Sequence, residues 1–307
     1  MKVKVIINPA AANGRLKKHW PIIREALTKT LGEIEESFTT RMGEGIEITK
    51  RALLEGFEHV IAVGGDGTVN EVINGFFIDD RPVNPDALFS FIMKGTGGDF
   101  IRSFEADREL SDLIGSIAKN EITRIDIGKL TYRDFEGKQA IRYFNNVASF
   151  GMGGEVARMV NGLPFKAIIG GWLSFYSAML SKMLVYHNKR VRLRAEGLFD
   201  EEIKIRNVAI ANGQYHGGGM RVAPKASLDD GLFDVVVFGD ISRLDLMLSS
   251  GRLYKGTHLS HPKVRFFRGE KLKATSKQKV FLEIDGETLG TLPVQFEILP
   301  GALNLVI

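Results

Sequence analysis

Gly64-Gly65-Asp66-Gly67-Thr68-Val69-Asn70-Glu71-Val72 stands between a short apolar run, His59–Val63, and a helical pattern, Val69–Phe77. That order reads as a buried strand, a glycine turn and a helix. Glycines let backbone N–H groups approach a phosphate closely, and the following helix N-terminus adds partial positive charge. Thr68 and Glu71 have the spacing of a capping box, with Thr68 as the N-cap. Asp66 among phosphate-cradling glycines would repel a phosphate unless a cation intervened. That points to Mg²⁺, which takes carboxylate and phosphate oxygens together; the alternative is a turn residue bonding its own backbone.

The alternation continues on both sides. Val3–Ile7 reads as a first buried strand, followed by the loop Asn8-Pro9-Ala10-Ala11-Ala12-Asn13-Gly14. Trp20–Leu31 and Ile46–Leu54 read as helices. Ala87–Met93 is a third apolar run, followed by Gly95-Thr96-Gly97-Gly98-Asp99 and a helix over Leu110–Lys119. Such runs between helices predict βαβ units and a parallel sheet covered on both faces. Loops at the carboxyl ends of its strands gather on one edge, where ligands bind. Three small-residue loops on that edge favour a nucleotide phosphate. No G-x-x-x-x-G-K-[ST] occurs and no G-x-G-x-x-G follows the first strand, which excludes a Walker-type loop and argues against a dinucleotide dehydrogenase.

Beyond about residue 127 strand-like stretches dominate: Ile122–Leu130, Ile141–Val147, Arg190–Ala195, Ile203–Ala211, Phe233–Phe238, Lys279–Ile284, Val294–Leu299 and Leu303–Ile307. Asp229-Asp230-Gly231 and Asp285-Gly286 read as turns. Helical patterns interrupt near 155–185 and 242–254. This half is expected to be a mostly antiparallel β domain.

Composition bounds the class. With 307 residues, 44% hydrophobic and 25% charged, the chain reads as a soluble globular protein of about two domains. It has no cysteine, which excludes disulfide scaffolds, thiolate metal sites and a cysteine nucleophile and fits a reducing cytoplasm. Residues 1–8 lack the features of a signal peptide. No run of 18 apolar residues exists, so no transmembrane helix is expected. Phe165–Val185 is apolar but broken by residues such as Gly170, Gly171 and Lys182, and reads as a mostly buried helix; the alternatives are a ligand-pocket wall or a membrane-touching surface. His258 and His261 read as solvated, and His216 as a pocket liner or a plain loop residue. The net charge is +4, yet Ile241–Lys279 holds ten Lys or Arg against Asp245 and Glu270, a net of +8. Such a run is a solvated face or a surface drawn to an anionic leaflet. No stacking motif or recognition helix points to nucleic acid.

The ordered motifs together resemble the diacylglycerol kinase catalytic-domain family, which includes soluble bacterial lipid kinases and is related to sphingosine and ceramide kinases. Gly64–Val72 resembles its GGDGT-x-N-E signature. Asn8-Pro9 with Gly14 looks like its first nucleotide loop, and Thr39, or adjacent Thr40, followed by Gly43 looks like its threonine near the nucleotide. Gly95-Thr96-x-x-Asp99-Phe100-x-Arg102 is similar to GT-x-N-D-F-A-R, with Gly98 where the family usually has Asn. Arg124-Ile125-Asp126-Ile127-Gly128, Asn212-Gly213 with Gly217–Gly219, Ala223-Pro224 through Asp229-Asp230-Gly231-Leu232, and Ile284-Asp285-Gly286-Glu287 match later motifs in order.

The resemblance implies an α/β nucleotide-binding domain, NAD kinase-like, over 1–127 plus about 296–307. It implies an antiparallel β-sandwich-like lipid-substrate domain over 128–295, with the active site between them. It implies transfer of the γ-phosphoryl of ATP to a lipid hydroxyl with Mg²⁺. Glu287 would be the general base, and Asp66 and Asp126 part of the acidic network at the phosphates. Asn8, Gly14, Thr39, Thr40, Gly64, Gly65, Asp66, Gly67, Thr68, Val69, Asn70, Gly95 and Thr96 would hold the nucleotide. A structural Mg²⁺ would use the Asp230 side chain with the Ser227 and Leu232 carbonyls. The expected setting is a cytoplasmic enzyme visiting an anionic membrane, with a homodimer expected only from the frequency of two-fold assemblies. Two other readings stand beside it: an NAD kinase-like phosphotransferase with a soluble substrate, and a nucleotide- or lipid-binding regulator without turnover.

Overall fold

The computed structural model describes residues 1–93, 98–104, 110–119, 121–162, 181 and 185–307. The chain divides into two compact units, Met1–Asp126 with Gly301–Ile307, and Ile127–Pro300.

In the first unit the order is β1 Val3–Ile7, α1 Leu16–Leu31, β2 Ile34–Phe38, α2 Glu44–Leu54, β3 His59–Gly64, α3 Asp66–Gly75, the short pair β4 Phe77–Ile78 and β5 Arg81–Pro82, β6 Leu88–Met93, α4 Asp99–Arg102 and α5 Leu110–Lys119. Strands β2, β1, β3 and β6 lie side by side, all parallel. Their apolar runs are buried on both faces, as a helix-covered parallel sheet requires. One layer is set by Leu16, Trp20, Ile23 and Leu27, a helical stripe of α1 that packs on Val3, Val5 and Ile7. Burying each such side chain contributes about 1.5–3 kcal/mol.

Strand β2 was not expected from the sequence. It is the sheet's edge, half-exposed, and carries Glu35 and Glu36 instead of an apolar run. Its partners specify it: Lys4 Nζ reaches Glu35 at 2.5 Å and Trp20 Nε1 donates to Glu36 at 2.9 Å.

The second unit contains β7 Ile122–Asp134, which enters it from the first unit, β8 Gln139–Phe144, β9 Val147–Gly151, α6 Met152–Asn161, β10 Lys189–Ala195, β11 Phe199–Ile205, β12 Asn207–Ala211, β13 Phe233–Phe238, α7 Arg243–Lys255, β14 Val264–Gly269, β15 Lys271–Thr275, β16 Phe281–Ile284 and β17 Glu287–Val306. One antiparallel layer runs β14-β13-β12-β9-β16-β17, and β15, β10 and β11 continue from β17. Alternate side chains of both groups meet in one core that includes Phe144, Phe150, Val191, Leu193, Leu272 and Phe296. That is sandwich-like packing. Phe144 stacks on Phe233 at 5.6 Å, and Gly128 has no room for a Cβ, which would sit 2.3 Å from the Phe144 ring. The opposite faces of β9, β12 and β13 are covered by Val156 and Val160 of α6 and Leu246 of α7.

Several expected strands are divided differently. Ile141–Val147 is two strands separated by Asn145-Asn146, and Ile203–Ala211 is two strands meeting at buried Arg206. The expected Val294–Leu299 and Leu303–Ile307 are one strand, β17, whose Asn304 and Leu305 pair in parallel with β6. Gly301 takes φ +56° inside it, and its N–H donates to the Asp126 carboxylate at 2.7 Å. Val264–Gly269 and Lys271–Thr275 form strands inside the basic stretch, where Arg265, Arg268, Lys271 and Lys273 leave no apolar run. Most of Phe165–Val185 lies outside the described residues.

Candidate active site

In the first unit, hydrogen bonds join the loops at the strand ends. Asn8 Nδ2 donates to Thr68 Oγ1 at 3.1 Å, and Asn8 Oδ1 accepts the Ala10 N–H at 3.0 Å. Thr39 N–H donates to the Ile7 carbonyl at 2.9 Å. Ala12, Asn13 and Gly14 take φ of 53°, 57° and 79°, a left-handed stretch that is strained for Ala12 and easy for Gly14.

Helix α3 starts at Asp66 with Gly65 as its N-cap, and no side chain caps it. Its first N–H groups, those of Asp66, Gly67 and Thr68, are the ones an intrahelical ladder leaves over. Gly64 lets the Thr68 side chain pack against the strand end, where a Cβ would meet Thr68 Oγ1 at 2.3 Å.

The expected capping box does not form. Thr68 lies inside the helix, and Glu71 reaches across to α2, accepting the N–H groups of Gly43 at 2.8 Å and Gly45 at 2.9 Å. Glu71 thus caps the neighbouring helix. Thr40 donates its N–H and hydroxyl to Glu44, which holds that carboxyl below its ordinary value. Val69 and Asn70 are buried, and the Asn70 amide oxygen accepts from Asn74 at 3.1 Å.

Asp66 accepts the N–H groups of Gly98 at 3.0 Å and Phe100 at 3.3 Å. Burial, with the neighbouring Asp99 charge behind it, pushes the Asp66 carboxyl above its ordinary value, against the pull of those N–H groups. Gly98 takes φ +63° and ψ +37°, a left-handed cap that Asn also tolerates, so glycine in place of asparagine preserves the turn. Gly95 and Thr96 lie outside the described residues.

In the second unit, Glu287 follows a two-residue hairpin turn. Asp285 and Gly286 take φ of 45° and 90°, and Ile284 pairs with Glu287. Positive φ at both positions is the geometry that Asp-Gly favours. Asp285 is fixed to β9: its Oδ1 accepts the Val147 N–H at 2.9 Å, and its own N–H donates to the Val147 carbonyl. Arg142 Nη2 lies 3.3 Å from Glu287 Oε2 and orients that carboxylate.

Beneath the turn sits Glu283, 1% exposed. It accepts the Gly286 N–H at 2.6 Å and the Ser149 hydroxyl at 2.8 Å, with His216 Nε2 at 3.4 Å. His216 therefore belongs to a built network that links the Gly213–Gly219 loop to the Glu287 turn. That loop is also held by Asn146, whose carbonyl accepts the N–H groups of Asn212 and Gly213 and whose Nδ2 donates to the Tyr215 carbonyl at 2.8 Å. Arg142, Glu283 and Asn146 were missed from sequence. Two had a visible signal: Glu283 is a charge inside an apolar strand, and Asn145-Asn146 breaks an apolar run.

Asp230 lies in the loop before β13. Its Oδ1 accepts the Leu232 N–H at 3.2 Å, and Arg268 stands 3.3 Å from Oδ2 and 2.7 Å from the buried Asp234. Burial pushes the Asp234 carboxyl up to about 6. Ser227 donates its hydroxyl to Asp229 at 2.6 Å. The all-oxygen donors of this loop suit a hard cation in type, with Arg268 already supplying counter-charge. Among the described residues, no three His, Asp or Glu side chains gather into a metal cluster of their own. His258 corrects the solvated reading: it is buried, stacks on Phe238, and bonds the Val222 carbonyl through Nε2 at 2.9 Å.

Residues 2–130 match the model of the diacylglycerol kinase catalytic domain. Residues 146–307, more than half of the chain, match the YegS C-terminal NAD kinase beta sandwich-like domain. The chain belongs to the diacylglycerol kinase family. A Bacillus subtilis relative called diacylglycerol kinase is 28% identical over 309 residues, spanning 99% of this chain and 96% of that one. A Staphylococcus saprophyticus relative of the same name is 29% identical, spanning 96% and 92%. Among solved structures, a Bacillus anthracis diacylglycerol kinase matches with TM-score 0.72 at 20% identity, over 99% of this chain and 96% of that one. An Archaeoglobus fulgidus NAD kinase, solved with ATP, matches with TM-score 0.52 at 14% identity, over 100% and 94%. These two show the shared fold.

Proposed function

We propose that this diacylglycerol kinase-family member transfers the γ-phosphoryl group of ATP to the hydroxyl of a diacylglycerol-like lipid. The observation that carries the reading is Glu287, placed by an Asp-Gly turn and oriented by Arg142, in a chain whose first unit gathers glycine loops at the strand ends. Phosphoryl transfer needs alignment and charge neutralisation more than covalent chemistry. The α3 N-terminus supplies backbone N–H groups for phosphate oxygens, with the Asn8–Gly14 loop tied to it through Asn8 and Thr68. Thr39 and Thr40, with the segment containing Gly95 and Thr96, complete the proposed nucleotide side.

Asp66 and Asp126 are carboxylates of the first unit, and Asp66 stands close enough to Asp99 for their charges to repel. Such oxygen donors fit Mg²⁺, whose chemistry here is to neutralise phosphate charge. Ser227, Asp230 and Leu232 would hold a structural Mg²⁺. Glu287 accepts the proton of the lipid hydroxyl as it attacks, a role that needs hydrogen-bond reach and a fixed carboxylate. The favoured setting is the membrane surface, where such a lipid resides; among the described residues no helix is long and apolar enough to cross a membrane.

The test uses purified protein, labelled ATP, Mg²⁺ and diacylglycerol in mixed micelles. Wild type yields labelled phosphatidic acid and Glu287→Gln does not, although both bind ATP. Equal turnover by the variant would remove Glu287 from the role of base.

A further inference from the structure

Helix α7 carries apolar side chains on two sides. Leu246 is buried in the core that covers the outer face of β9, β12 and β13, and Leu253 packs against the same core. Leu244, Met247 and Tyr254 are 65%, 49% and 41% exposed. At 100° per residue, these three fall within an arc of about 80°. Arg243 and Lys255 border that arc on its two sides, with Arg252 beyond Lys255, all exposed. A helix in a globular protein needs one buried stripe; a second apolar stripe facing water marks a contact.

We propose that this face of α7 docks on an anionic lipid bilayer. Apolar residues edged by Arg and Lys are the chemistry of a helix lying in the headgroup region. The helix has one acidic residue, Asp245, and it is paired with Lys263 at 3.2 Å. The structure also sorts the basic stretch. Arg265 pairs with Glu201, Arg268 with Asp230 and Asp234, and Lys271 with Glu297. Arg252 and Lys255 have no carboxylate partner among the described residues and remain available to lipid phosphates.

The helix is also fastened to the segment that follows the glycine loop. Arg221 N–H donates to the Leu253 carbonyl at 2.9 Å, and Gly256 leaves only 3.0 Å between its would-be Cβ and Pro224. A helix seated on a bilayer is thereby coupled to the segment that follows the Gly213–Gly219 loop. The proposal deepens the lipid-kinase reading and rests on it.

Vesicle co-sedimentation tests it, with phosphatidylcholine alone and phosphatidylcholine mixed with phosphatidylglycerol. Wild type is expected to bind the anionic vesicles and to release as salt is raised. Leu244→Asp with Met247→Asp, and separately Arg252→Gln with Lys255→Gln, are expected to weaken that binding about tenfold or more. All four side chains are exposed, so the urea midpoint should stay at the wild-type value. Vesicle binding unchanged in both double variants, or no binding by wild type, overturns the proposal. So does a lipid-free wild-type dimer that the apolar double variant splits, because a second copy then covers the stripe. Turnover of diacylglycerol in detergent micelles separates the two readings. Its absence in wild type defeats the lipid kinase, whereas normal micelle turnover with unaltered vesicle binding by the variants defeats only the docking face.

Discussion

Glu287 owes its position to two neighbours of different kinds: the Asp285-Gly286 turn sets its backbone, and Arg142 sets its carboxylate. Replacing it with glutamine keeps the shape and removes the proposed base, so kcat is expected to fall by about 10²–10⁴-fold with ATP affinity unchanged, measured by steady-state kinetics and ATP titration. Arg142→Ala leaves the Glu287 carboxylate present but loosely held, and a loss of about 10- to 100-fold in kcat is expected if Glu287 is the proposed base. Glu283 acts one layer below. Glu283→Ala takes away the carboxylate that accepts the buried Ser149 hydroxyl and the Gly286 N–H, at a cost of about 2 kcal/mol by chemical denaturation. The sequence makes Asp66 and Glu287 conspicuous because each sits beside glycine in a turn. Arg142 is invisible there: it occupies an ordinary strand and meets its partner 145 residues away.

At the scale of elements, α2 packs closely against α3. A Cβ on Gly75 would lie 2.4 Å from the Thr49 Cβ and 2.7 Å from the Ile46 carbonyl. Gly75→Ala is therefore expected to cost about 1–3 kcal/mol by overpacking, read as a lowered urea midpoint. The same joint explains why Glu71 leaves its own helix. With α2 this close, its N-terminal N–H groups at Gly43 and Gly45 lie within reach, and a bidentate carboxylate satisfies both. A local spacing rule sees only Thr68 and Glu71 and cannot see α2. The parallel strands were legible because each is a short apolar run ending in glycine or Asn-Pro. Edge strand β2 was not, because its outward charges are specified by Lys4 and Trp20 on other elements.

At the scale of the whole molecule, one buried chain of hydrogen bonds ties the C-terminus into the first sheet. Ser90 donates its hydroxyl to the Val306 carbonyl at 2.6 Å and therefore accepts from His59 Nε2–H at 2.8 Å. Burial lowers the His59 imidazole from 6.5 to about 4. Between those values the unfolded chain binds a proton that the folded chain refuses, so stability is lost as pH falls through that window. Urea unfolding should show about 2 kcal/mol less stability from this group at pH 5 than at pH 7, and His59→Gln should flatten that slope. The α/β and β-rich halves were readable from hydrophobic rhythm, whereas this tie joins positions 216 residues apart and has no local signature. Phosphoryl transfer to a lipid is what the fold and Glu287 are proposed to serve. The most direct measurement offers the purified enzyme labelled ATP with diacylglycerol micelles and with NAD in parallel reactions. Label in phosphatidic acid and none in NADP is the predicted result; label in NADP with no phosphorylated lipid would contradict it.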